Sequence, residues 1–405
     1  MRILIISQYF WPENFRINDL CLELKERGHD ITVITGLPNY PKGDFFNGYN
    51  FFSKKTDLWE GIKIHRCKLF PRKNGSGFFL LANYVSFAIF SSFRILFFNS
   101  KFDNIIVYQL SPGTVGLPGI VAKFKFNAPL SFYIQDIWPE SLSDAGGIKS
   151  KFILNIVDKM MNYFYKQSNK ILVQSEGFID FLIDKGVPRS KLMYIPNTVE
   201  SFYKPVEPIE KYKSQIPNGF NILFAGNIGY AQDFDTIVNA ALILKEKGID
   251  VNWVIIGDGR AKQALINKVS ELDLVNNFHF IGIRPSEEMP FYFSCADVLL
   301  VSLKDSLIFS LTIPSKIQSY LACKKPIIAN INGIGAKTII DSKSGLVSNS
   351  GDFKMLANNI EEMKNKNSEE MNYFAINGYN YFLSNFERKI IYDKLDHNLN
   401  ILYAE

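Results

Sequence analysis

The sequence predicts an α/β protein built from two successive doubly wound domains. Near its start, a strand pattern over residues 2–6, a helical pattern over 14–28 and a second strand pattern over 31–35 form a strand–helix–strand unit. A polar, proline-bearing stretch that ends near Gly219 has the composition of a linker, and the same alternation restarts after it. The length of 405 residues is enough for two or three domains, each with its own core.

The composition describes a folded protein with one local basic region. Hydrophobic residues make up 47% of the chain and charged residues 21%, which excludes an intrinsically disordered protein. The net charge is only +5, but residues 42–73 alone hold eight basic and three acidic side chains. This local excess favours a contact with something anionic and is too narrow for a general nucleic-acid-binding face. No nucleic-acid partner is therefore expected.

The cysteines and the N-terminus predict a cytoplasmic protein. The chain has neither a CxxC pair nor histidines at the spacing of metal ligands, and its four cysteines are scattered, at Cys21, Cys67, Cys295 and Cys323. Free thiols and no metal site are the expectation. The first residues read as a buried strand and lack the plan of a signal peptide, so we expect the protein to stay on the cytoplasmic side.

Residues 78–98 are the one membrane candidate in the sequence. Their length would just span a bilayer, but Asn83, Ser86, Ser91 and Arg94 fall on one side of a helical wheel. Because a charged arginine is costly at bilayer depth, we expect a helix that lies in the membrane plane, with its aromatic face in the lipid boundary. A helix buried within the first domain is the alternative.

In the first domain, a candidate site edge follows one of the later strands. These strands are predicted at 104–109, 130–135, 171–174 and 192–195. Polar and aromatic residues from Gln135 to Glu140 stand where the second of them hands over to a helix, and ligands collect at the carboxyl ends of parallel strands. Capping and packing by Trp138 and Pro139 is the structural alternative. The segment after the first strand has no GxGxxG, so a dinucleotide fingerprint is absent.

The sequence after the linker predicts a second sheet, with a glycine after several of its strands. Its strands are predicted at 221–225, 251–256, 278–281 and 298–302, and its helices at 233–247, 260–272 and 286–295. An apolar run follows at 327–329. Terminal helices are predicted at 353–364 and 386–403, which gives domains at 1–200 and 201–375 and a segment 376–405 that packs back on the first domain. The strand-end glycines, at 226, 229, 257, 259 and 282, favour a nucleotide bed, although chain reversal alone could require several of them.

Two short patterns near these strands invite different interpretations. Asp233-Phe234-Asp235 resembles an acidic metal-binding triplet, but it stands at a predicted helix start, where aspartate is a common cap. Pro314-Ser315-Lys316 opens a helical pattern with a cation at its first turn. The unpaired N–H groups of such a turn suit a phosphate, and an ordinary helix with a solvated lysine is the alternative.

Several blocks together resemble family 4 of the retaining glycosyltransferases, which have the GT-B architecture of two Rossmann-like domains facing across a cleft. The similar blocks occur in the family's order and are SQYFWPENFRINDLCLELKERGHDITVITGLPNYPKG, QDIWPES, FAGNIG, VIIGDG and PSKIQSYLACKKP. Within the family, the chain is most similar to N-acetyl-L-fucosamine transferases of bacterial O-antigen, lipopolysaccharide and capsule synthesis.

The resemblance implies a substrate pair and a location. The donor would be a UDP-sugar held by the second domain, and the acceptor an undecaprenyl-diphosphate-linked saccharide held by the first. The enzyme would be peripheral on the inner face of the cytoplasmic membrane, through residues 78–98, and would need neither a metal nor another cofactor. Retention implies same-face attack, in which the leaving diphosphate helps to take the acceptor proton, so cations and N–H dipoles must stabilise the charge on that diphosphate.

Position by position, the chain departs from the family at charged residues. The Glu-x7-Glu motif falls on Leu311 and Ser319, so both glutamates are missing. The Arg and Lys that clamp the diphosphate fall on Asn227 and Gln232, and the histidine near the sugar falls on Gln135. A leucine at 311 suggests a less polar contact, which is consistent with a 6-deoxy sugar.

From this resemblance we expect four sets of site residues. Stabilisation of the leaving diphosphate falls to Arg284 and Lys316. Asp136 and Gln135 are expected beside the reacting sugar. Nucleotide binding is expected of Gly226, Asn227, Asp258, Ser315, Ile317 and Ser319. The acceptor or sugar side is expected to hold Glu13, Asn14, Arg16 and Leu311.

Two other functions remain open at this point. The missing glutamates and cations are compatible with a catalytically inactive partner of a polysaccharide assembly complex. A UDP-sugar 2-epimerase shares the fold, but it would need acid and base groups in the cleft, and the four histidines, His29, His65, His279 and His397, form no visible motif.

Overall fold

The computed structural model describes residues 1–53, 56–73, 77–144 and 150–404. The chain divides into two compact units, Met1–Ile195 with Tyr392–Glu405, and Pro196–Ile391. The boundary lies near residue 195 rather than 200, and the predicted terminal segment 376–405 is split at Ile391. Hydrogen bonds explain the first division, because the Tyr133 hydroxyl donates to the carbonyl of Ile195 at 2.8 Å, whereas the Thr198 hydroxyl donates to the carbonyl of Phe386 at 2.7 Å.

The first unit is built on one sheet. Its described strands are β1 (Arg2–Ile6), β2 (Asp30–Gly36), β3 (Thr56–Trp59), β4 (Ile62–Cys67), β5 (Asn104–Gln109), β6 (Leu130–Ile134), β7 (Lys170–Val173) and β8 (Leu192–Tyr194). They are ordered β3-β4-β2-β1-β5-β6-β7-β8, and every neighbouring pair is parallel except β3 with β4. The central strands β1, β5 and β6 are buried at every residue except Arg2, as continuous apolar runs predict for a parallel sheet covered on both faces.

Helices cover this sheet. Those described before the unit boundary are α1 (Arg16–Glu26), α2 (Gly77–Leu96), α3 (Gly116–Phe126), α4 (Glu140–Asp144), α5 (Lys151–Gln167) and α6 (Glu176–Asp184). The helix α1 buries Ile17, Leu20, Cys21 and Leu24, the apolar face that its period predicts.

The second unit has a fully parallel sheet. Its described strands are β9 (Asn221–Ala225), β10 (Asn252–Ile256), β11 (Phe278–Gly282), β12 (Val298–Ser302), β13 (Ile327–Asn330) and β14 (Gly345–Ser348). They are ordered β11-β10-β9-β12-β13-β14. Because β9 lies at the centre and the strands run in one direction, the turns after β9 and β10 meet at the carboxyl edge of the sheet.

The helices of the second unit pack on both sides of its core strands. They are α7 (Glu210–Lys213), α8 (Phe234–Glu246), α9 (Lys262–Glu271), α10 (Met289–Ser294), α11 (Leu307–Leu311), α12 (Ser315–Ala322), α13 (Gly333–Asp341), α14 (Phe353–Asn365) and α15 (Ser368–Asn385). The last helix, α16 (Arg388–Ala404), belongs to the first unit from Tyr392 onward. Short 3₁₀ turns occur at Gly113–Val115, Arg189–Lys191, Tyr230–Gln232 and Ser286–Glu288. The predicted α/β fold of two doubly wound domains is confirmed.

The helix α2 presents its polar side to the protein and its apolar side outward. Asn83 is fully buried, donates to the carbonyl of Phe70 at 2.6 Å and accepts from Gln8 at 2.7 Å. The outward side carries large exposed side chains, namely Phe78, Leu81, Val85, Ile89, Phe93 and Leu96, and the exposed Phe97 follows directly after the helix. By length and composition alone, α2 could also cross a membrane.

Candidate functional site

Two glycine turns interlock at the carboxyl edge of the second sheet. The Gly226 amide donates to the carbonyl of Ile256 at 2.9 Å, and the Ile228 amide donates to the carbonyl of Asp258 at 2.8 Å. Gly226 and Gly257 both have φ of +138°, and a Cβ on Gly257 would lie 1.9 Å from the carbonyl oxygen of Gly226. Only glycine permits this approach, so this edge of the sheet exposes backbone atoms that no side chain covers. We call the two turns at Gly226 and Gly257 the glycine bed.

Lys316 crosses this bed from the start of α12. Its ammonium nitrogen donates to the side-chain oxygen of Gln232 at 2.8 Å and lies 3.6 Å from the ring centroid of Phe224. A Cβ on Gly226 would approach the Lys316 Cε to 2.8 Å, so the glycine makes room for the lysine side chain. The sequence thus predicts a cation at this turn, and the structure shows which groups hold it.

The Lys316 ammonium has no carboxylate partner among the described residues. Its contacts there are the neutral oxygen of Gln232 and the face of an aromatic ring, both of which attract a cation weakly. Burial lowers the pKa of Lys316 from 10.5 to about 7, because removal from water disfavours the charged form. An anion bound beside it would supply the missing negative charge.

The amides at the start of α12 are only partly available. The Ile317 amide donates to the carbonyl of Pro314 at 2.9 Å, so it is already hydrogen-bonded within the first turn, and its role in phosphate binding stays a prediction. The amides of Ser315 and Lys316 begin the helix and point along its axis, as the first N–H groups of any helix do. These two donors and the Lys316 ammonium lie within one turn of the chain.

The other predicted nucleotide ligands differ in how exposed they are. Ser319 is 7% exposed, and its hydroxyl donates to the carbonyl of Ser315 at 3.3 Å, which leaves only its lone pairs for a ligand. Asn227 and Asp258 are exposed on the glycine turns. The Asp258 carboxylate accepts from the Gly259 amide at 2.8 Å and lies 3.6 Å from the Lys262 ammonium.

Arg284 lies on the same edge as Lys316, but at a distance. It follows β11, which β10 separates from β9, so about 10 Å of sheet lies between β11 and the strand β9, whose following turn contacts the Lys316 side chain. Its Nε donates to the Tyr292 hydroxyl at 2.9 Å, and that hydroxyl donates to Gln215 at 2.8 Å. No contact joins Arg284 to Lys316 in the described part of the chain.

Leu311 and the segment Asp233-Phe234-Asp235 lie at helix ends, and the contacts of the two aspartates are with other side chains of the protein. Leu311 is the half-buried last residue of α11, three residues before Pro314. Asp235 pairs with Lys268 at 2.6 Å. Asp233 directly precedes α8 and makes no capping bond to the backbone with its side chain, and its carboxylate accepts from the Thr236 hydroxyl at 2.6 Å. Among the described residues no group of three or more His, Cys, Asp or Glu could hold a metal ion.

In the first unit, Glu13 ties two loops together. It is 2% exposed, and one carboxylate oxygen accepts from the amides of Asn39 and Tyr40, each at 2.8 Å. Burial raises the pKa of Glu13 to about 7, although these amides work against the shift. The carboxylate is thus already bound to the protein, whereas Asn14 beside it is exposed and Arg16 is half-buried at the first turn of α1.

Gln135 and Asp136 follow β6 at the carboxyl edge of the first sheet. The Gln135 amide donates to the carbonyl of Gln109 at 2.8 Å. Asp136 is half-buried and accepts from the hydroxyl of Ser141. Burial raises the pKa of Asp136, and hydrogen bonds from Ser141, Ser111 and Trp138 oppose the rise. The two predicted residues are therefore neighbours at one site edge.

A tyrosine and arginine cluster beside Asp136 was not predicted. Arg72 donates to the Tyr9 hydroxyl at 3.2 Å, and its guanidinium lies 5.1 Å from the ring centroid of Tyr40. Tyr84 hydrogen-bonds Tyr9. Burial raises the pKa of Tyr84, and the nearby Asp136 carboxylate adds to the rise. Arg72 belongs to the basic segment 42–73, which was the available sequence signal.

Comparison with protein families assigns both units. The model "Glycosyl transferase 4-like domain" matches residues 14–198, and the model "Glycosyl transferases group 1" matches residues 207–381. WcaI of Escherichia coli strain K12, provisionally named as a colanic acid biosynthesis glycosyl transferase, is 25% identical over 80% of this chain and 81% of its own. CapM of Staphylococcus aureus, a capsular polysaccharide biosynthesis glycosyltransferase, is 22% identical over 78% of this chain and 83% of its own.

Solved structures agree on the fold. Sucrose-phosphate synthase from Thermosynechococcus elongatus superposes with a TM-score of 0.76 at 16% identity and covers 100% of this chain and 99% of its own. Anabaena Alr3699/HepE in complex with UDP superposes with a TM-score of 0.70 at 15% identity, over 99% and 100% of the two chains. The chain therefore combines a glycosyl transferase 4-like domain with a glycosyl transferases group 1 domain in the GT-B fold.

Proposed function

We propose that this protein is a retaining glycosyltransferase of bacterial surface polysaccharide synthesis. It moves a sugar, N-acetyl-L-fucosamine or a related 6-deoxy amino sugar, from UDP to a saccharide carried on undecaprenyl diphosphate. It works without a metal, as a peripheral protein on the inner face of the cytoplasmic membrane. The polysaccharide role is supported by WcaI and CapM, whose names place them in colanic acid and capsule synthesis.

The observation that carries this proposal is the ammonium of Lys316 above the glycine bed. It is half-buried, faces bare backbone and has no carboxylate partner in the described residues. A diphosphate laid on the Gly226 turn would meet this cation and the first amides of α12 together. Solved complexes of Alr3699/HepE contain UDP and UDP-glucose, which supports a UDP-sugar as the donor.

The chemistry that this arrangement suits is stabilisation of a leaving group. As the bond between sugar and diphosphate breaks, negative charge grows on the terminal phosphate, and a fixed cation in a partly dry site stabilises that charge more than it stabilises the ground state. Lys316 has this role, and Arg284, about two strands away, contacts the more distant phosphate or the sugar. Ser319 accepts a hydrogen bond from the ribose.

The acceptor side lies at the carboxyl edge of the first sheet. Asp136 and Gln135 orient the sugars there, and Arg72 with its tyrosines provides a cationic, aromatic surface that suits stacked sugar rings or a phosphate. Glu13 acts by fixing the loop that carries Asn39 and Tyr40 rather than by touching the acceptor.

Membrane attachment rests on the inverted polarity of α2. Its polar residues Asn83, Ser86 and Ser91 are buried against the first unit, and its large exposed side chains are aromatic and aliphatic. A helix of this kind lowers its free energy by placing that side in the lipid boundary. Nearby lysines and arginines in the segment 42–73 are attracted to anionic headgroups.

The test is a donor screen. The protein is incubated with a panel of UDP-sugars, including UDP-N-acetyl-L-fucosamine, and a lipid-diphosphate saccharide, and the product is identified by mass and its anomeric configuration by NMR. Transfer with retention of configuration is expected. Conversion of free UDP-sugar without acceptor would instead identify an epimerase, and no calorimetric response to UDP would identify an inactive partner.

A further inference from the structure

A groove runs between β4 and the C-terminal half of α2 in the first unit. It has a volume of about 390 Å³, within the range of small-molecule sites, and Phe90, Phe93, Phe97 and Phe98 form its apolar walls. Its floor is the chain from Arg66 to Lys68. We call it the α2 groove.

A second cavity continues the α2 groove toward the carboxyl edge of the sheet. It has a volume of about 250 Å³, shares the same floor residues and is closed by Leu37, Phe51, Phe52 and Ser53. Leu37 follows directly on the last residue of β2, so this end of the path lies at the edge where the acceptor site is placed. An elongated ligand could therefore extend from that edge along the aromatic side of α2.

Two of the cations that line the groove, Lys68 and Arg94, have no carboxylate partner among the described residues. The Lys68 ammonium lies over the rings of Phe51 and Phe52, at 4.5 and 5.4 Å from their centroids. Arg94 donates to the Nδ1 atom of His65 at 2.9 Å. The Arg94 Nε is buried and has no hydrogen-bond partner in the described part of the chain. A buried unpaired guanidinium nitrogen is costly and marks a place where an acceptor belongs.

His65 does not neutralise this charge. Burial, and then the positive charges of Arg94 and Lys63, lower the pKa of His65 to about 4, so the imidazole is neutral at physiological pH. The third cation of the floor, Arg66, is already paired with Asp57 and donates to the carbonyl of Trp11 at 2.8 Å. Lys68 and Arg94 are thus the two positive charges available to an anion in the groove.

We propose that the α2 groove binds one molecule of a polyprenyl phosphate or diphosphate, the lipid carrier of the acceptor. Its phosphates contact Lys68 and Arg94, and its first isoprene units lie against Phe93 and Phe97. Aromatic walls and uncompensated cations in one groove match an anionic head joined directly to a hydrocarbon chain. Phe93 and Phe97 are also on the exposed side of α2, so the remaining chain can continue into the bilayer. This inference rests on the proposed lipid-linked acceptor and names where that lipid binds.

The test measures binding without catalysis. Farnesyl diphosphate is titrated into the protein by calorimetry in the presence of excess UDP, which keeps diphosphates out of the donor site. Arg94→Gln and Lys68→Gln are each expected to weaken binding by about tenfold or more, as for a lost charge-assisted hydrogen bond. Phe97→Ser is expected to weaken it as well, and inorganic pyrophosphate is expected to bind at least about tenfold more weakly than farnesyl diphosphate.

Matched controls protect the result against unfolding. Phe97 is 83% exposed, so its replacement leaves the core intact, and Arg94→Lys retains the charge and should keep most of the affinity. Lys101→Gln and Phe124→Ser change an exposed cation and an exposed aromatic ring outside the groove, and both should bind as the wild type does.

The proposal fails if the groove variants bind farnesyl diphosphate as tightly as the wild type does, or if inorganic pyrophosphate binds equally well. It also fails if the variants bind farnesyl diphosphate normally and lose only their attachment to phosphatidylglycerol vesicles, since the groove would then bind the headgroups of the membrane surface in general. A protein that binds farnesyl diphosphate in the groove but transfers no sugar would leave this inference standing and overturn the proposed enzyme.

Discussion

The ammonium of Lys316 donates a hydrogen bond of 2.8 Å to the side-chain oxygen of Gln232, a residue 84 positions earlier in the chain. The bond fixes the cation above the Gly226 turn and supplies no negative charge. The family resemblance implies a lysine at the position of Gln232, so in this chain we expect the cation of the site to come from α12 instead of from the turn.

The first prediction concerns the role of that cation in turnover. Lys316→Ala should lower kcat at least about tenfold, since loss of a charge-assisted contact to the developing phosphate charge costs about 1.5–3 kcal/mol. Steady-state kinetics at saturating UDP-sugar measures the effect. The control Lys247→Ala removes a surface lysine that pairs with Glu361 and should leave kcat unchanged. Equal kcat for Lys316→Ala and the wild type would remove Lys316 from the mechanism.

The second prediction concerns the pH dependence of nucleotide binding. With a pKa of about 7 in the free protein, the Lys316 ammonium is present below pH 7 and is lost as the pH rises above it. UDP binding should therefore weaken by about tenfold or more between pH 7.5 and 9, a range in which the terminal phosphate of UDP is already ionised. Calorimetry at both values measures the change. Lys316→Arg stays charged and should show no such slope, and a wild type with equally flat affinity would contradict the prediction.

The third prediction concerns the stability cost of the same lysine. The unfolded chain keeps the Lys316 proton up to about pH 10.5, whereas the folded chain loses it near pH 7. The contribution of Lys316 to the free energy of unfolding therefore becomes more favourable as the pH rises from 7 to 10.5. Lys316→Met should raise the free energy of unfolding, and with it the unfolding midpoint, by about 1 kcal/mol or more of free energy at pH 6.5 and by progressively less toward pH 10. Thermal unfolding at several pH values measures it, and a lowered midpoint at pH 6.5 would refute the expectation.

The fourth prediction concerns the buried carboxylate of Glu13. Its folded pKa of about 7 exceeds the ordinary 4.5, so the folded state binds the proton more tightly and gains stability as the pH falls from 7 to 4.5. The stability of the wild type minus that of Glu13→Gln should therefore increase by about 1–3 kcal/mol from pH 7.5 to pH 5. Urea unfolding of both proteins measures this difference. A difference that does not vary with pH would mean that Glu13 ionises normally.

The fifth prediction concerns the exposed side of α2. Phe78 and Leu81 are 74% and 61% exposed on its N-terminal half, outside the α2 groove. The double variant Phe78→Ser, Leu81→Ser should release the protein from anionic vesicles in a flotation assay, because each lost side chain removes about 1.5–3 kcal/mol of apolar transfer energy. Val275→Ser, at a position that is 58% exposed in the second unit, is the control. A wild type that never floats with vesicles would end the membrane proposal.

The elements that the sequence predicted share one property, a strong periodic or continuous apolar pattern. Strands such as β5 and β9 are unbroken apolar runs between turn signals, and α1 has a clear helical period. The hairpin of β3 and β4 was not predicted, although exposed polar residues such as Lys63 alternate with apolar ones in β4, which is a strand signal. The helix α15 was also missed, although Asn367 and Glu370 form a capping box at its start.

The candidate site was predictable in its backbone and less so in its partners. A helix start with Lys316 and glycines after the strands can be read from local signals. Three hydrogen bonds could not be predicted, because they depend on how side chains pack in the folded protein and not on the spacing of residues in the sequence. They are the bond from Lys316 to Gln232, the bond from the Ser319 hydroxyl to the backbone, and the bond from the Asn39 amide to Glu13. The lysine was therefore found in advance, and the groups that set its charge were not.

The outward-facing aromatic side of α2 has a practical consequence for the purified protein. In plain aqueous buffer, association between molecules would shield those rings from water, so we expect particles larger than a monomer there. A mild detergent or a lipid nanodisc should return such particles to a single size, and sample preparation should begin there.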